Sequence, residues 1–207
     1  MKIHFSHPSY YAQEKEKILS REDLSQKGEI DAEIRDLVDA INENSFFCTT
    51  SSCAGRITLL ERKSSRKIDA KWLFTSHQPV SADEIISLLQ SKSDVWLMQE
   101  SCILHVFCQT LESAQDFLSL CHSVGFKRSG ITSLNKKIII EMMGNEKVEA
   151  LLIKDGKTLI KDDSLPILIE ECNARMLKNR ERMDILLQAV RDYNEKIVRE
   201  NDEQDIN

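Results

Sequence analysis

The chain has 207 residues, carries 28 Lys and Arg against 34 Asp and Glu for a net charge of −6, and is 41% hydrophobic. That length and composition suit an ordered soluble domain with a core of its own and exclude general disorder. No stretch nears the roughly 18 consecutive apolar residues of a membrane span, and six Cys, most in apolar runs such as Phe46-Phe47-Cys48, do not make a disulfide scaffold.

Pro8 opens a helix through Leu19. A second helix runs from Asp31 to Asn44, with Ile34, Leu37, Val38 and Ile41 at helical spacing and Asp31 as N-cap. Strands follow near Phe46–Thr49, Arg56–Arg62, Lys71–Thr75, Asp94–Met98, Cys102–Cys108, Ser129–Leu134, Lys137–Met142 and Lys147–Ile153. Two helices interrupt them. Ala82–Gln90 has Ser81 and Glu84 at capping-box spacing, and Glu112–Ser123 has Gly125 as its stop. Asp155-Gly156 turns a hairpin. One long helix, Ser164 to Arg199, carries an apolar stripe from Ile169 to Ile197, and the acidic tail Glu200–Asn207 is expected to fray. Strands and helices do not alternate regularly. The expectation is therefore an α+β fold with a mixed, largely antiparallel sheet, flanking helices and a long C-terminal helix, in one domain over 1–207. A helical lead-in covers 1–45, the sheet core 46–163 and the long helix 164–199.

The polar N-terminal run Met1–Pro8 lacks the apolar core of a signal peptide, so a reducing, cytoplasmic setting is expected. An acidic chain does not advertise nucleic-acid binding. Residues 45–147, however, hold 12 Lys and Arg against 10 Asp and Glu, so the centre can hold a phosphate backbone locally.

Six glycines are present and no two are one residue apart, which excludes a dinucleotide-type loop and the Walker loop alike. The densest polar cluster is Thr49-Thr50-Ser51-Ser52-Cys53-Ala54-Gly55-Arg56-Ile57. Its hydroxyls, main-chain N–H groups and Arg56 make an anion or carboxylate receptor by type; a Ser-rich turn with an exposed Arg is the plainer alternative. Cys53 is a nucleophile only if a His or cation lowers its pKa, and a small buried Cys otherwise. His77 stands where a buried strand meets a loop, either facing a ligand or bonded to backbone. His105 interrupts the apolar strand Cys102–Cys108, and strand alternation keeps Cys102, His105 and Cys108 from converging on a metal. No metal is expected. The cations Arg175, Lys178, Arg180 and Arg182 are interleaved with acids and read as a solvated helix face.

Ser51-Ser52-Cys53-Ala54-Gly55-Arg56-Ile57, Trp72-Leu73-Phe74-Thr75-Ser76-His77, Glu100 with Ile103-Leu104-His105-Val106, and Gly125-Phe126-Lys127-Arg128-Ser129-Gly130-Ile131 closely resemble the tRNA wybutosine-synthesizing protein 3 family. Leu24-Ser25-Gln26-Lys27-Gly28 and the final helix also look like it. The resemblance implies an α+β half-barrel and an S-adenosylmethionine-dependent methyltransferase. Its substrate would be the N4 nitrogen of a demethylwyosine-type base at position 37 of phenylalanine tRNA, in the anticodon loop. Carried onto this chain, it implies that Ser52, Cys53, Gly55, Arg56, Ser129 and Gly130 hold the cofactor, with Arg56 on its carboxylate. His77 and Glu100 would orient the base or accept a proton late, and His105 would line the pocket. Trp72 or Phe126 would stack on a base, with Trp72 otherwise a core residue. Because the sulfonium leaving group is already activated, positioning should dominate catalysis. The chain departs from the family where Lys-Phe-Glu-Pro becomes Met98-Gln99-Glu100-Ser101 and where Arg-Ser-Thr becomes Glu141-Met142-Met143. The charge inversion at Glu141 favours the rival reading, a non-catalytic RNA- or protein-binding module of the same fold.

Overall fold

A computed structural model describes residues 8–20, 29–62, 70–161 and 163–205. The expected Leu24–Gly28 motif lies outside them. The elements in order are α1 (Pro8–Leu19), α2 (Ala32–Glu43), β1 (Phe47–Cys53), β2 (Arg56–Arg62), β3 (Ala70–Ser76), α3 (Ala82–Ile86), β4 (Asp94–Glu100), β5 (Ile103–Cys108), α4 (Leu111–Ser123), β6 (Gly130–Ser133), β7 (Ile138–Met143), β8 (Val148–Lys154), β9 (Lys157–Thr158) and α5 (Ser164–Asp205). The α+β expectation holds. All described strand pairings are antiparallel, and the strands form two sheets rather than one, neither closed into a barrel. Among the described residues no helix is long and apolar enough to cross a membrane.

The chain divides into two compact units. The first contains Met1–Cys53, Ile103–Met143 and Glu181–Asn207. Its sheet has the order β1-β5-β7-β6. Leu104, Val106 and Cys108 of β5 and Ile138, Ile140 and Met142 of β7 alternate onto one buried face, as period-2 side-chain geometry requires. Phe47 packs there against Phe117 of α4 and Tyr193 of α5, with ring centres 5.2 and 5.7 Å apart. Removing the fully buried Phe117 ring would cost roughly 3–5 kcal/mol. On the opposite face Tyr11 of α1 covers Phe107 at 4.8 Å. Thr110 caps α4 in a reciprocal box with Ser113, and Gly125 ends it at φ +101°, a conformation that favours glycine.

The second unit contains Ala54–Cys102 and Gly144–Arg180, with sheet order β3-β2-β4-β8-β9. One face carries Ile57, Leu59, Val95, Leu97 and Leu152, which pack with Val80 and Ile85 and with Leu165, Ile169, Cys172 and Met176 of α5. The capping box of Ser81 and Glu84 forms as expected, but α3 stops at Ile86 instead of Gln90. Ser87 turns its hydroxyl onto the Glu84 carbonyl at 2.8 Å, and Leu88 and Leu89 close tighter i to i−3 bonds. Two other expectations are revised. Asp31 sits at the N-cap of α2 without a side-chain cap bond, and α5 continues through the acidic tail to Asp205. Glu–Arg and Glu–Lys pairs such as Arg199–Glu195 (3.0 Å) and Lys196–Glu200 (3.6 Å) accompany that last stretch.

Candidate active site

The run Thr49–Cys53 is strand rather than turn, because β1 stays paired to β5 until Cys53 faces Ile103. Its register slips between Thr49 and Ser51, where Thr50 is the additional residue of a β-bulge and donates its hydroxyl to the His105 carbonyl at 3.2 Å. Beyond the slip Ser51 stands opposite His105, Ser52 opposite Leu104, and Cys53 opposite Ile103. Ser51 and Cys53 therefore share the face of His105, and Ser52 projects to the other.

Across β5 and β7, His105 pairs with Glu141, and Glu141 in turn pairs with Gly130 of β6. One transverse row on one sheet face thus reads Ser51, His105, Glu141, Gly130. Ser51 Oγ lies 2.8 Å from His105 Nδ1, and His105 Nε2 lies 3.1 Å from Glu141 Oε2. The His105 and Glu141 side chains are 32% and 31% exposed, so the row is open to solutes. For a neutral His105 beside an ionised Glu141, the carboxylate only accepts, so the imidazole hydrogen belongs on Nε2 and Nδ1 accepts from Ser51. Reading by residue type finds His105 but misses Ser51, which sits among four hydroxyls, and Glu141, which stands out only as a charge inversion.

Ser129 and Gly130 enter β6 beside this row. Ser129 is 8% exposed, its carbonyl accepts from His122 Nε2 at 3.1 Å, and its buried Oγ has no hydrogen-bond partner among the described residues. Phe126 is fully buried and cannot stack on a base. The thiols of Cys48 and Cys108 are buried, and burial pushes both up, so neither is a ready nucleophile.

In the second unit the face of the sheet turned away from its core carries a different cluster. Arg56 and Glu100 are register partners on β2 and β4, and Arg56 Nε donates to Glu100 Oε2 at 2.5 Å. The Arg56 guanidinium lies over the Trp72 ring, 4.9 Å from its centre, and Arg62 lies 5.6 Å from that of Trp96. Trp72 is 48% exposed, which overturns the expectation of a core residue. Leu60 faces both Trp72 and Trp96, so the two indoles share this face. Gly55, preceding Arg56, has φ +89°, and a Cβ there would sit 2.7 Å from the Glu100 carbonyl oxygen. Its identity is thus set by backbone geometry. His77 follows β3, and its carbonyl accepts from Arg180. Lys178 and Arg175 pair with Glu146 at 2.9 and 3.8 Å, as an ion-paired helix face should, but Arg180 Nε and Arg182 Nη1 are buried, so the solvated face does not extend to those two.

Comparison with known proteins bears on this geometry. A family model described as Methyltransferase TYW3 matches residues 13–192. A Pyrococcus abyssi protein named tRNA(Phe) 7-((3-amino-3-carboxypropyl)-4-demethylwyosine(37)-N(4))-methyltransferase 1 is 38% identical over 173 residues, covering 82% of this chain and 89% of that one. The human tRNA wybutosine-synthesizing protein 3 homolog is 34% identical over 176 residues, covering 82% and 68%. A solved structure of the PH1069 protein from Pyrococcus horikoshii superposes with a TM-score of 0.82 at 34% identity, covering 88% of this chain and 97% of that one. With the match extending over most of both units, the chain belongs to the TYW3 methyltransferase family.

Proposed function

We propose that the methyl donor is S-adenosylmethionine, and that the acceptor is the N4 nitrogen of a 4-demethylwyosine-type base at position 37 of phenylalanine tRNA, beside the anticodon, in the cytoplasm. The chain is a tRNA methyltransferase of wybutosine biosynthesis, as its relatives are named, rather than a binding module that has lost the reaction. When bound, the donor supplies a methyl group activated by its sulfonium. The residues present suit such a group: the orphaned hydroxyl of Ser129 lacks the partner that a buried polar atom requires. Ser129 and the Gly130 main chain would hold its polar end, and Cys53 would border it on the face of Ser51 and His105, whereas Ser52 projects to the other face. Gly55 contributes the backbone bend that sets Arg56.

The observation that carries the RNA side is the half-exposed Trp72 ring with Arg56 over it. An aromatic plane with a cation beside it binds unstacked nucleobases. We assign Arg56 to this stack rather than to the donor's carboxylate, because its charge is met by Glu100. Glu100 is then a positioning residue for Arg56, and His77 is left to orient the base. The test is radiolabelled methyl transfer from S-adenosylmethionine to phenylalanine tRNA carrying the demethyl precursor. Label at position 37 is expected. Tight tRNA binding without any transfer would return the chain to the module reading.

A further inference from the structure

We propose that Ser51, His105 and Glu141 form the proton-accepting relay of the methyl transfer, with Glu141 as the positioning residue that fixes the working tautomer of His105. The inference rests on the methyltransferase reading above. A ring nitrogen that bears hydrogen cannot keep it once methylated and neutral, so the site must take up one proton per turnover. Among the described residues of the first unit, the row Ser51–His105–Glu141 is continuous, correctly polarised and half-open. Ser51 Oγ is 2.8 Å from Nδ1, and Nε2 is 3.1 Å from Glu141 Oε2. Register alone brings the three together, one from each of β1, β5 and β7.

The step balances. The acceptor nitrogen bonds to the methyl carbon as the carbon–sulfur bond breaks, and that electron pair stays on sulfur. The nitrogen's hydrogen leaves as a proton to Ser51 Oγ, and the hydroxyl's own proton passes to His105 Nδ1. The resulting imidazolium keeps its Nε2–H on Glu141, whose negative charge offsets the new positive one, and it returns the proton to solvent. Without Glu141 the neutral imidazole is free to carry its hydrogen on Nδ1, where it donates to Ser51 and cannot accept.

Two readouts test the relay. In the protein alone, 15N NMR of the histidine side chains, with His105 identified by its loss in His105→Ala, should show the Nε2–H tautomer. In Glu141→Ala that preference should disappear while the far-UV circular dichroism and thermal midpoint stay near wild type. In the methylation assay His105→Ala and Glu141→Ala should lower kcat about 100-fold, the lower end of the usual general-base contribution, with the KM for tRNA within about twofold. Glu141→Asp should recover most of the loss. A folded Glu141→Ala with the wild-type tautomer and kcat overturns the relay while leaving the methyltransferase reading intact. A wild-type chain that transfers no methyl group overturns both.

Discussion

Arg56 and Glu100 face each other across β2 and β4, Nε to Oε2 at 2.5 Å, with the same guanidinium 4.9 Å from the centre of the Trp72 ring. Both side chains are about one-third exposed, so the ion pair itself contributes about 0–1 kcal/mol to stability. Its larger effect is to hold the cation on the indole. The only two tryptophans of the chain, Trp72 and Trp96, share this face, so tryptophan fluorescence, excited selectively over the tyrosines, reports on it alone. Adding phenylalanine tRNA should quench that fluorescence. Trp72→Leu should weaken tRNA binding roughly 5- to 150-fold, the equivalent of one base–aromatic stack worth about 1–3 kcal/mol. Glu100→Gln should weaken it by less than Trp72→Leu and leave the thermal midpoint nearly unchanged. Unaltered affinity in Trp72→Leu would remove the ring from the interface.

Two glycines near the predicted site should respond in opposite ways. Gly55→Ala combines a positive φ with a Cβ 2.7 Å from the Glu100 carbonyl, and a loss of about 2 kcal/mol or more is expected in urea unfolding. Gly130→Ala meets nothing within 4 Å and should stay within about 0.5 kcal/mol of wild type. If Gly130→Ala nevertheless loses methyl transfer while folded, the missing Cβ is space for a ligand.

Glu14 accepts from Lys137 and Lys17, each at 2.8 Å, and these bonds, Lys137 first, hold its carboxyl down at about 2. Asp94 is lowered in the same sense by Lys154 and the Asp155 N–H. A carboxyl depressed in the folded state binds fewer protons there than when unfolded. Its stabilisation is therefore complete above the ordinary carboxylate range and is lost as pH falls toward 2. The denaturant midpoint should accordingly drop between about pH 5 and pH 2, and Glu14→Gln should flatten that drop. An identical acid profile in the variant would show that Glu14 does not participate.

Of the six thiols, five are buried and Cys53 is partly exposed. Burial pushes the Cys172 thiol up to about 11 and raises Cys48 and Cys108 as well. Alkylation of the native protein near pH 8 should modify Cys53 alone, with the other five reacting only in denaturant. Mass spectrometry showing early labelling of Cys108 would contradict the packing of the first unit.

The local signals were legible in the residues. Pro8–Leu19, Arg56–Arg62, the Ser81–Glu84 box and the Gly125 stop fall where composition and spacing place them. What could not be read is long-range. No local pattern shows that β1 pairs with β5 while β2 pairs with β3 and β4, and hence that there are two sheets. Trp72 was a core candidate because it opens an apolar run, yet the register slip opposite Leu59 and Leu60 leaves it on the open face. Ser51 was hidden for a related reason. In an unbroken strand Thr50 would face His105, and only the extra residue puts Ser51 there. Glu141 was visible only as a departure from the resembled pattern, and its contact with His105 follows from the pairing of β5 with β7.

The slip at Thr50 also makes the first unit unequally tolerant of changes in length. Deleting Thr50 would restore an ordinary ladder with Ser51 still across from His105, at the loss of one hydroxyl bond to a carbonyl. Deleting Ser52, two positions later, would swing Cys53 onto the opposite side of the strand, off the face it shares with Ser51 and His105. A single-residue shortening is thus a near-silent edit at one hydroxyl and a disruptive one at another, although the two look interchangeable when the residues are merely written out.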